Sequence, residues 1–363
     1  MNLIAVILAA GKGTRLSSLY SCSSKCLIPI NGMCVIGHKV VSLSQCKYIE
    51  KIVVIIKENE MEIPKYLGNM CNEVPIIYYY QSLNKSGLVN ALYSFAGIYN
   101  CENTEIVLNL GDEYYEELNY NDFIETYYKH QASISPILVK TYEEEKIKAN
   151  YTVNLKNQWD IIDAIEKPKK VFNNYIGCGT ILISGKLLIE FAQNYKDNFY
   201  GLELIDWIKF AILKNLKCYG YEFKGIYVNL NTRKDLECIY DLKRKNNMLL
   251  ENKDKKATRL KNKCNLDKNE TEYILLGRPD SEYRVYILDD KKRILGFNNI
   301  GEIWISKKNF VIDKYITMNH CCNEVELDII NPTEKMIKLN IKGYITMDGL
   351  YYGSKIPSMK IFE

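Results

Sequence analysis

From the amino terminus to about residue 245 the chain alternates short apolar runs with segments of helical period. Leu3–Leu8, Lys51–Ile56, Pro75–Tyr80, Glu105–Asn109 and Ser133–Val139 are rich in β-branched or aromatic residues, which marks them as strands. Between them, Val35–Cys46, Leu88–Tyr99 and Tyr120–Lys129 carry apolar residues at helical spacing. This alternation predicts an α/β fold, a mostly parallel sheet with helices on both faces. Sheets of that kind bind ligands beyond the carboxyl ends of their strands, near the point where strand order reverses.

The pattern changes over Lys243–Glu270, where Lys, Asn, Asp and Glu dominate and large apolar residues are few. That stretch reads as a linker or a solvated helix, and as a boundary. From Tyr273 onward, Gly-rich turns separate short strands such as Arg284–Leu288, Glu302–Ser306 and Lys335–Leu339. The expected organisation is an α/β domain over 1–242, a charged linker over 243–270, and a small all-β domain over 271–363.

Composition adds limits. Hydrophobic residues make up 47% of the 363 positions and charged ones 25%, an ordinary globular balance. The net charge of +4, from 48 basic and 44 acidic residues, is too even to favour nucleic acid or a membrane surface. A small-molecule partner is therefore the expectation. The 12 cysteines show no CxxC spacing, so neither a zinc site nor a disulfide frame is supported. Reduced core thiols in a cytoplasmic protein fit better. The apolar opening lacks a basic leader and runs straight into Gly11-Lys12-Gly13, so it reads as a buried strand. No apolar run approaches the ~20 residues of a membrane span.

The sharpest chemical signal is Leu8-Ala-Ala-Gly-Lys-Gly-Thr-Arg-Leu16, directly after the first strand. Glycines let the backbone turn tightly and approach a phosphate, and their amide groups then point at the anion. Lys12 and Arg15 add charge-assisted contacts. The segment has neither the Gly-Lys-Ser/Thr ending of a Walker loop nor a dinucleotide fingerprint. By itself it supports phosphate binding and nothing finer.

Its setting is more specific. Ser24-Lys25-Cys-Leu-Ile-Pro29 follows, then Gln81 with Ser86-Gly87-Leu88, Leu110-Gly111-Asp112, Ile165-Glu166-Lys167-Pro168, Tyr175-Ile176-Gly177, and Tyr227-Val-Asn229-Leu-Asn231-Thr232. This ordered set resembles the sugar-phosphate nucleotidyltransferase family, as in glucose-1-phosphate thymidylyltransferases. The resemblance implies a Rossmann-like nucleotidyltransferase sheet, Mg²⁺ as cofactor, and an NTP and a small phosphorylated acceptor as partners.

Roles follow residue by residue from the resemblance. Leu8, Ala10, Gly11, Gly13 and Thr14 would line the nucleotide, with Arg15 on the triphosphate. Lys25 would sit by the α-phosphate or the acceptor phosphate, and Gln81 and Gly87 would read the base edge. Asp112 would bind Mg²⁺, while Glu166, Lys167 and Gly177 would take the acceptor. In such a transfer an acceptor phosphate oxygen attacks the α-phosphorus and pyrophosphate leaves. The nucleophile is already anionic, so positioning and charge neutralisation suffice and no catalytic His or Cys is needed. The histidines His38, His130 and His320 lack metal spacing and are expected to be structural or exposed.

The chain departs from the family at two places. Gly32-Met33-Cys34 stands where Gly-Lys-Pro is common. At the late segment many relatives place an Asp, whereas Asn229 and Asn231 stand here. An Asn carbonyl can ligate Mg²⁺ but brings no charge, so affinity should be lower. Uridylyltransferases acting on N-acetylglucosamine 1-phosphate use Asn here, so the departure is compatible with activity, and Asn231 is the expected second ligand.

The C-terminal region carries a different resemblance. Gly277-Arg278-Pro279 through Asp289, Gly301-Glu302-Ile303-Trp304-Ile305, and Gly343 through Lys360-Ile361 resemble the β-subdomain of peptide-synthetase adenylation domains. Yet Ile341, Ser354 and Ile356 stand where that family has its ribose-binding Asp, hinge Arg and hinge acid, and its ATP loop and lid are absent. The segment is therefore expected to be non-catalytic, either a docking, dimerisation or pocket-covering module or a stabilising remnant. Two readings of the whole chain remain, an Mg²⁺-dependent nucleotidyltransferase and a catalytically weak nucleotide-binding or scaffold subunit. The acceptor could be a sugar 1-phosphate, a phosphocholine-like molecule or a phosphonate. Aromatics between Tyr151 and Tyr200, Trp159 among them, could form a cation cage, but core packing is the better expectation.

Overall fold

The computed structural model describes residues 2–11, 24–30, 33–81, 87–232, 234–239, 273–277, 283–288, 301–307, 322–327, 335–345 and 351–354. The linker expected over 243–270 and the loop residues Lys12, Gly13, Thr14 and Arg15 lie outside them, as do His320 and Ile356. The described chain divides into two compact units. One holds the residues up to Gly11 and Ile36–Tyr227, and the other the described residues among Lys12–Val35 and Val228–Glu363.

The first unit is built on an eight-stranded sheet. Its strands are β1 (Asn2–Leu8), β2 (Lys51–Lys57), β3 (Met70–Cys71), β4 (Val74–Gln81), β5 (Thr104–Leu110), then, after the short β6 (Glu113–Tyr115), β7 (Ile134–Lys140). The hairpin of β8 (Tyr151–Lys156) and β9 (Asp160–Glu166) precedes β10 (Tyr175–Ser184) and β11 (Tyr221–Phe223). Across the sheet the order is β11-β7-β10-β5-β1-β2-β4-β3. β5, β1, β2 and β4 run parallel, and β10 runs antiparallel to both β5 and β7. After β1 the chain builds outward through β2 and β4, then returns to place β5 on the other side of β1. The reversal of strand order therefore lies between β1 and β5, as the expected architecture requires.

Both faces of the central strands are covered. Successive side chains of a strand point to opposite faces. In β1, Leu3, Ile4, Ala5, Val6 and Ile7 are all buried, as are Ile52 through Ile56 in β2. Covering elements include α1 (Val35–Ser44), α2 (Leu88–Tyr93), α3 (Tyr120–Lys129), α4 (Gly185–Tyr195) and α5 (Leu204–Leu213). The caps explain where several begin. Asn119 accepts from the Asn121 and Asp122 amides ahead of α3, Ser184 from Leu187 ahead of α4, and Glu203 with Asp206 forms a capping box on α5. Phe191, Phe199, Trp207 and Tyr93 pack together, with Tyr93 stacked on Phe199 at 4.2 Å.

Two local differences from the sequence pattern have clear causes. The helix expected over Leu88–Tyr99 stops at Tyr93. The Ser94 hydroxyl donates to the Ala91 carbonyl at 2.6 Å, and Phe95 turns to an extended conformation that sets its ring against Tyr79. β10, which the pattern does not single out, is buried over nearly its whole length, so it shows no alternation, and Gly177 and Gly179 interrupt its otherwise strand-like composition.

In the second unit the Lys335–Ile345 strand pairs antiparallel with Gly301–Lys307, Cys322–Leu327 and Tyr351–Ser354. Tyr283–Leu288 and Tyr273–Gly277 complete an all-antiparallel sheet. Ile287, Leu288, Ile303 and Trp304 are buried there. Among the described residues no helix is long and apolar enough to cross a membrane.

Candidate active site

The carboxyl ends of β1 and β5 meet at the reversal point. Leu8 pairs with Leu110 in register, and the Gly111 N–H donates to the Leu8 carbonyl at 2.9 Å. The run Leu8, Ala10, Gly11 thus leaves the sheet beside Gly111-Asp112, with Gly11 exposed and Asp112 half-buried. Two strands along from β1, Gln81 ends β4. Its Nε2 donates to the Gly87 carbonyl at 3.3 Å, so the two residues expected at the base edge are joined. Gly87 has φ +107, a conformation open to glycine, and it stands just before α2.

The residues expected at the acceptor also come together. Tyr151 on β8 pairs with Glu166 on β9, and the Tyr151 ring packs against Gly177 on β10. A Cβ on Gly177 would fall 1.9 Å from that ring, so glycine is needed here for packing whatever it does for substrate. The Tyr151 hydroxyl donates to the Cys178 carbonyl at 3.0 Å. Glu166 and Lys167 form an exposed ion pair at 3.6 Å, and Lys167 sits at φ +44, left-handed backbone that a lysine rarely adopts. Its N–H closes onto the Asn150 carbonyl. Trp159 and Tyr175 meet edge to face at 5.3 Å and pack against the core, so they act as packing rather than as a cage.

In the second unit Lys25 opens a short 3₁₀ turn, Lys25–Leu27, capped by the Ser24 hydroxyl. Its Nζ donates to Asn231 Oδ1 at 3.3 Å and to the Leu230 carbonyl at 3.4 Å. Asn231 Nδ2 in turn donates to Asn229 Oδ1 at 2.8 Å. Asp235 accepts from the Asn231 and Thr232 amides and the Thr232 hydroxyl, which fixes the entry to the helix at 234–239.

One group that the sequence reading missed dominates the first unit. Glu113, adjacent to Asp112, is 2% exposed. Its Oε1 accepts from the Gly179 N–H at 2.8 Å and the Tyr227 hydroxyl at 2.6 Å, and its Oε2 accepts from Tyr115 at 2.9 Å. Burial pushes its carboxyl up, while Lys39, Tyr227 and the Gly179 N–H oppose the rise. Lys39 is itself buried, with Nζ 4.8 Å from the centre of the Tyr115 ring. In sequence it is one of three glutamates around Tyr114-Tyr115, with nothing local to set it apart from Glu116 and Glu117.

The oxygen donors suit a hard cation. Mg²⁺ needs only one or two protein oxygens and keeps several waters, and the half-buried Asp112 carboxylate in the first unit is a donor of that kind. Among the described residues no group of three or more His, Cys, Asp or Glu side chains could hold a metal. His38 packs edge-on to Tyr114 and His130 stacks on Tyr219 at 3.7 Å, so both serve packing.

The nucleotidyl transferase family model matches residues 4–227. A glucose-1-phosphate adenylyltransferase from Bacillus cytotoxicus is 23% identical over 270 residues, covering 68% of this chain and 70% of that protein. The enzyme of that name from Clostridium kluyveri is 23% identical over 266 residues, with 68% of each chain covered. A Bacillus anthracis structure assigned as a glucose-1-phosphate thymidylyltransferase, solved with sucrose, superposes with a TM-score of 0.56 at 23% identity. It covers 67% of this chain and 95% of that one, a likeness of fold.

Proposed function

The chain belongs to the nucleotidyl transferase family, and on that footing we propose that it joins an NTP to a sugar 1-phosphate and releases pyrophosphate. The carrying observation is the junction of β1 and β5, where the glycine run and Asp112 leave adjacent strands at the reversal of strand order. That the relatives act on glucose 1-phosphate favours a sugar 1-phosphate over phosphocholine or a phosphonate.

In this reading Leu8, Ala10, Gly11, Gly13 and Thr14 cradle the nucleotide, Arg15 contacts the triphosphate, and Gln81 with Gly87 reads the base. Glu166, Lys167 and Gly177 receive the acceptor. Lys25 places an ammonium against the reacting phosphates, where fixed positive charge stabilises the transition state without reorganisation. Asp112, with Asn231 as second donor, would hold Mg²⁺, which neutralises phosphate charge when bound. Residues 271–363 contribute no group to the transfer and act as a docking or stabilising module. A cytoplasmic setting suits the thiols, none of which is in a disulfide among the described residues.

Pyrophosphate release measured with each common NTP against hexose 1-phosphates, phosphocholine and phosphonates tests the reading. Turnover is expected with a hexose 1-phosphate. Nucleotide binding without turnover on any acceptor would overturn it in favour of a binding subunit.

A further inference from the structure

We propose that Glu113 is a positioning residue that holds Asp112 in place for the metal. The inference rests on the reading of Asp112 as a metal ligand. Asp112 is half-buried at the end of a strand, where a short carboxylate on a mobile turn would sample many orientations. The structure restrains it from both sides. Upstream, the Gly111 N–H is tied to Leu8 at the end of β1. Downstream, the Glu113 carboxylate is anchored to the β10 backbone at Gly179, to the Tyr227 hydroxyl and to Tyr115.

The anchor points matter as much as their number. Gly179 lies two residues beyond Gly177 on the acceptor strand, and Tyr227 begins the segment that leads to Asn229 and Asn231. Glu113 therefore ties Asp112 to the strand that presents the acceptor pocket and to the start of the late segment. Glycine at 179 permits the approach. A Cβ there would fall 2.3 Å from the Leu110 side chain and 3.0 Å from Glu113 Oε1. A buried carboxylate is an expensive strut, because it must be desolvated where a leucine need not be. Orientation of a neighbouring ligand is the return that a purely structural strut does not give, since outer partners of metal ligands govern affinity through geometry.

The test is direct Mn²⁺ binding, by electron paramagnetic resonance, to the full chain with and without each common NTP, alongside thermal melting. Glu113→Gln keeps the shape and removes the charge, and Tyr227→Phe removes one donor and leaves the carboxylate in place. Both are expected to weaken Mn²⁺ binding, Glu113→Gln by about 10- to 100-fold and Tyr227→Phe by less. The Mg²⁺ requirement for turnover should rise in parallel. If Glu113→Gln does not fold, Tyr227→Phe alone decides. Unchanged Mn²⁺ affinity in the folded variants, even with a lowered melting temperature, overturns the proposal and leaves Glu113 a structural strut. Asp112→Asn separates the levels. If it too leaves Mn²⁺ affinity unchanged, the metal reading fails and takes this inference with it.

Discussion

Lys25 and Asn231, 206 residues apart in sequence, meet side chain to side chain with Nζ 3.3 Å from Oδ1. The partner is an amide, so it orients the ammonium without neutralising it. An Asp at that position would pair with Lys25 and draw part of its charge away from phosphate. Lys25→Met should therefore lower kcat by about 10²- to 10³-fold, the range for loss of one preorganised donor at a developing charge. Asn231→Asp should lower the Mg²⁺ concentration needed for half-maximal rate while raising KM for the NTP. Steady-state kinetics over a metal titration would read both, and a Lys25→Met enzyme with normal kcat would sink the assignment.

Arg15→Ala should abolish turnover while the melting temperature stays within a few degrees of the parent. Arg15 belongs to the glycine-rich segment read as phosphate-binding, and a side chain that serves a ligand contributes little to the fold. Near-normal activity would mean that the segment has been misread.

Gly177→Ala should destabilise the fold by about 1–3 kcal/mol, the usual cost of forcing a methyl into a packed core. The new Cβ meets the Tyr151 ring. Combining it with Tyr151→Ala should recover part of that loss, a coupling that urea denaturation of the single and double variants measures. Strict additivity would show that Gly177 is not there to seat the ring.

Alkaline pH should loosen the protein through its buried thiols and phenols. Burial pushes Cys218 from 9.0 up to about 12, and Tyr78 from 10.0 up to about 12. In the unfolded chain these groups release protons near 9 and 10, whereas the folded chain holds them to higher pH. The folded state then binds more protons, so stability present below pH 9 is lost as pH rises toward 12. Urea midpoints from pH 8 to 11 should fall steadily. At pH 8.5 the Cys218 peptide should resist iodoacetamide while that of the exposed Cys238 is alkylated. Equal labelling of the two would contradict the buried placement.

Much of this arrangement was legible in the residues. The apolar runs marked the central strands because strands covered on both faces need no alternation, and Leu3–Leu8 and Lys51–Ile56 show that plainly. The ordered motifs placed Gly11, Gln81 and Asp112 at carboxyl ends of parallel strands, where the structure has them. Glu113 was not legible, because its role depends on Gly179 and Tyr227, which are 66 and 114 residues away in sequence. Nor was Tyr151, which reads as an ordinary strand aromatic until the ring is seen against Gly177. Local pattern reports periodicity, and such relations exist only once distant strands are brought together.

The left-handed backbone at Lys167 sets fold robustness and reactivity against each other at one position. Non-glycine residues in that region carry a strain of about 1–2 kcal/mol, which the rest of the fold must offset. Lys167→Gly should relax it and raise the melting temperature, while removing the ammonium proposed above to contact the acceptor. A library selected only for heat tolerance would thus drift toward glycine here and lose turnover on the way.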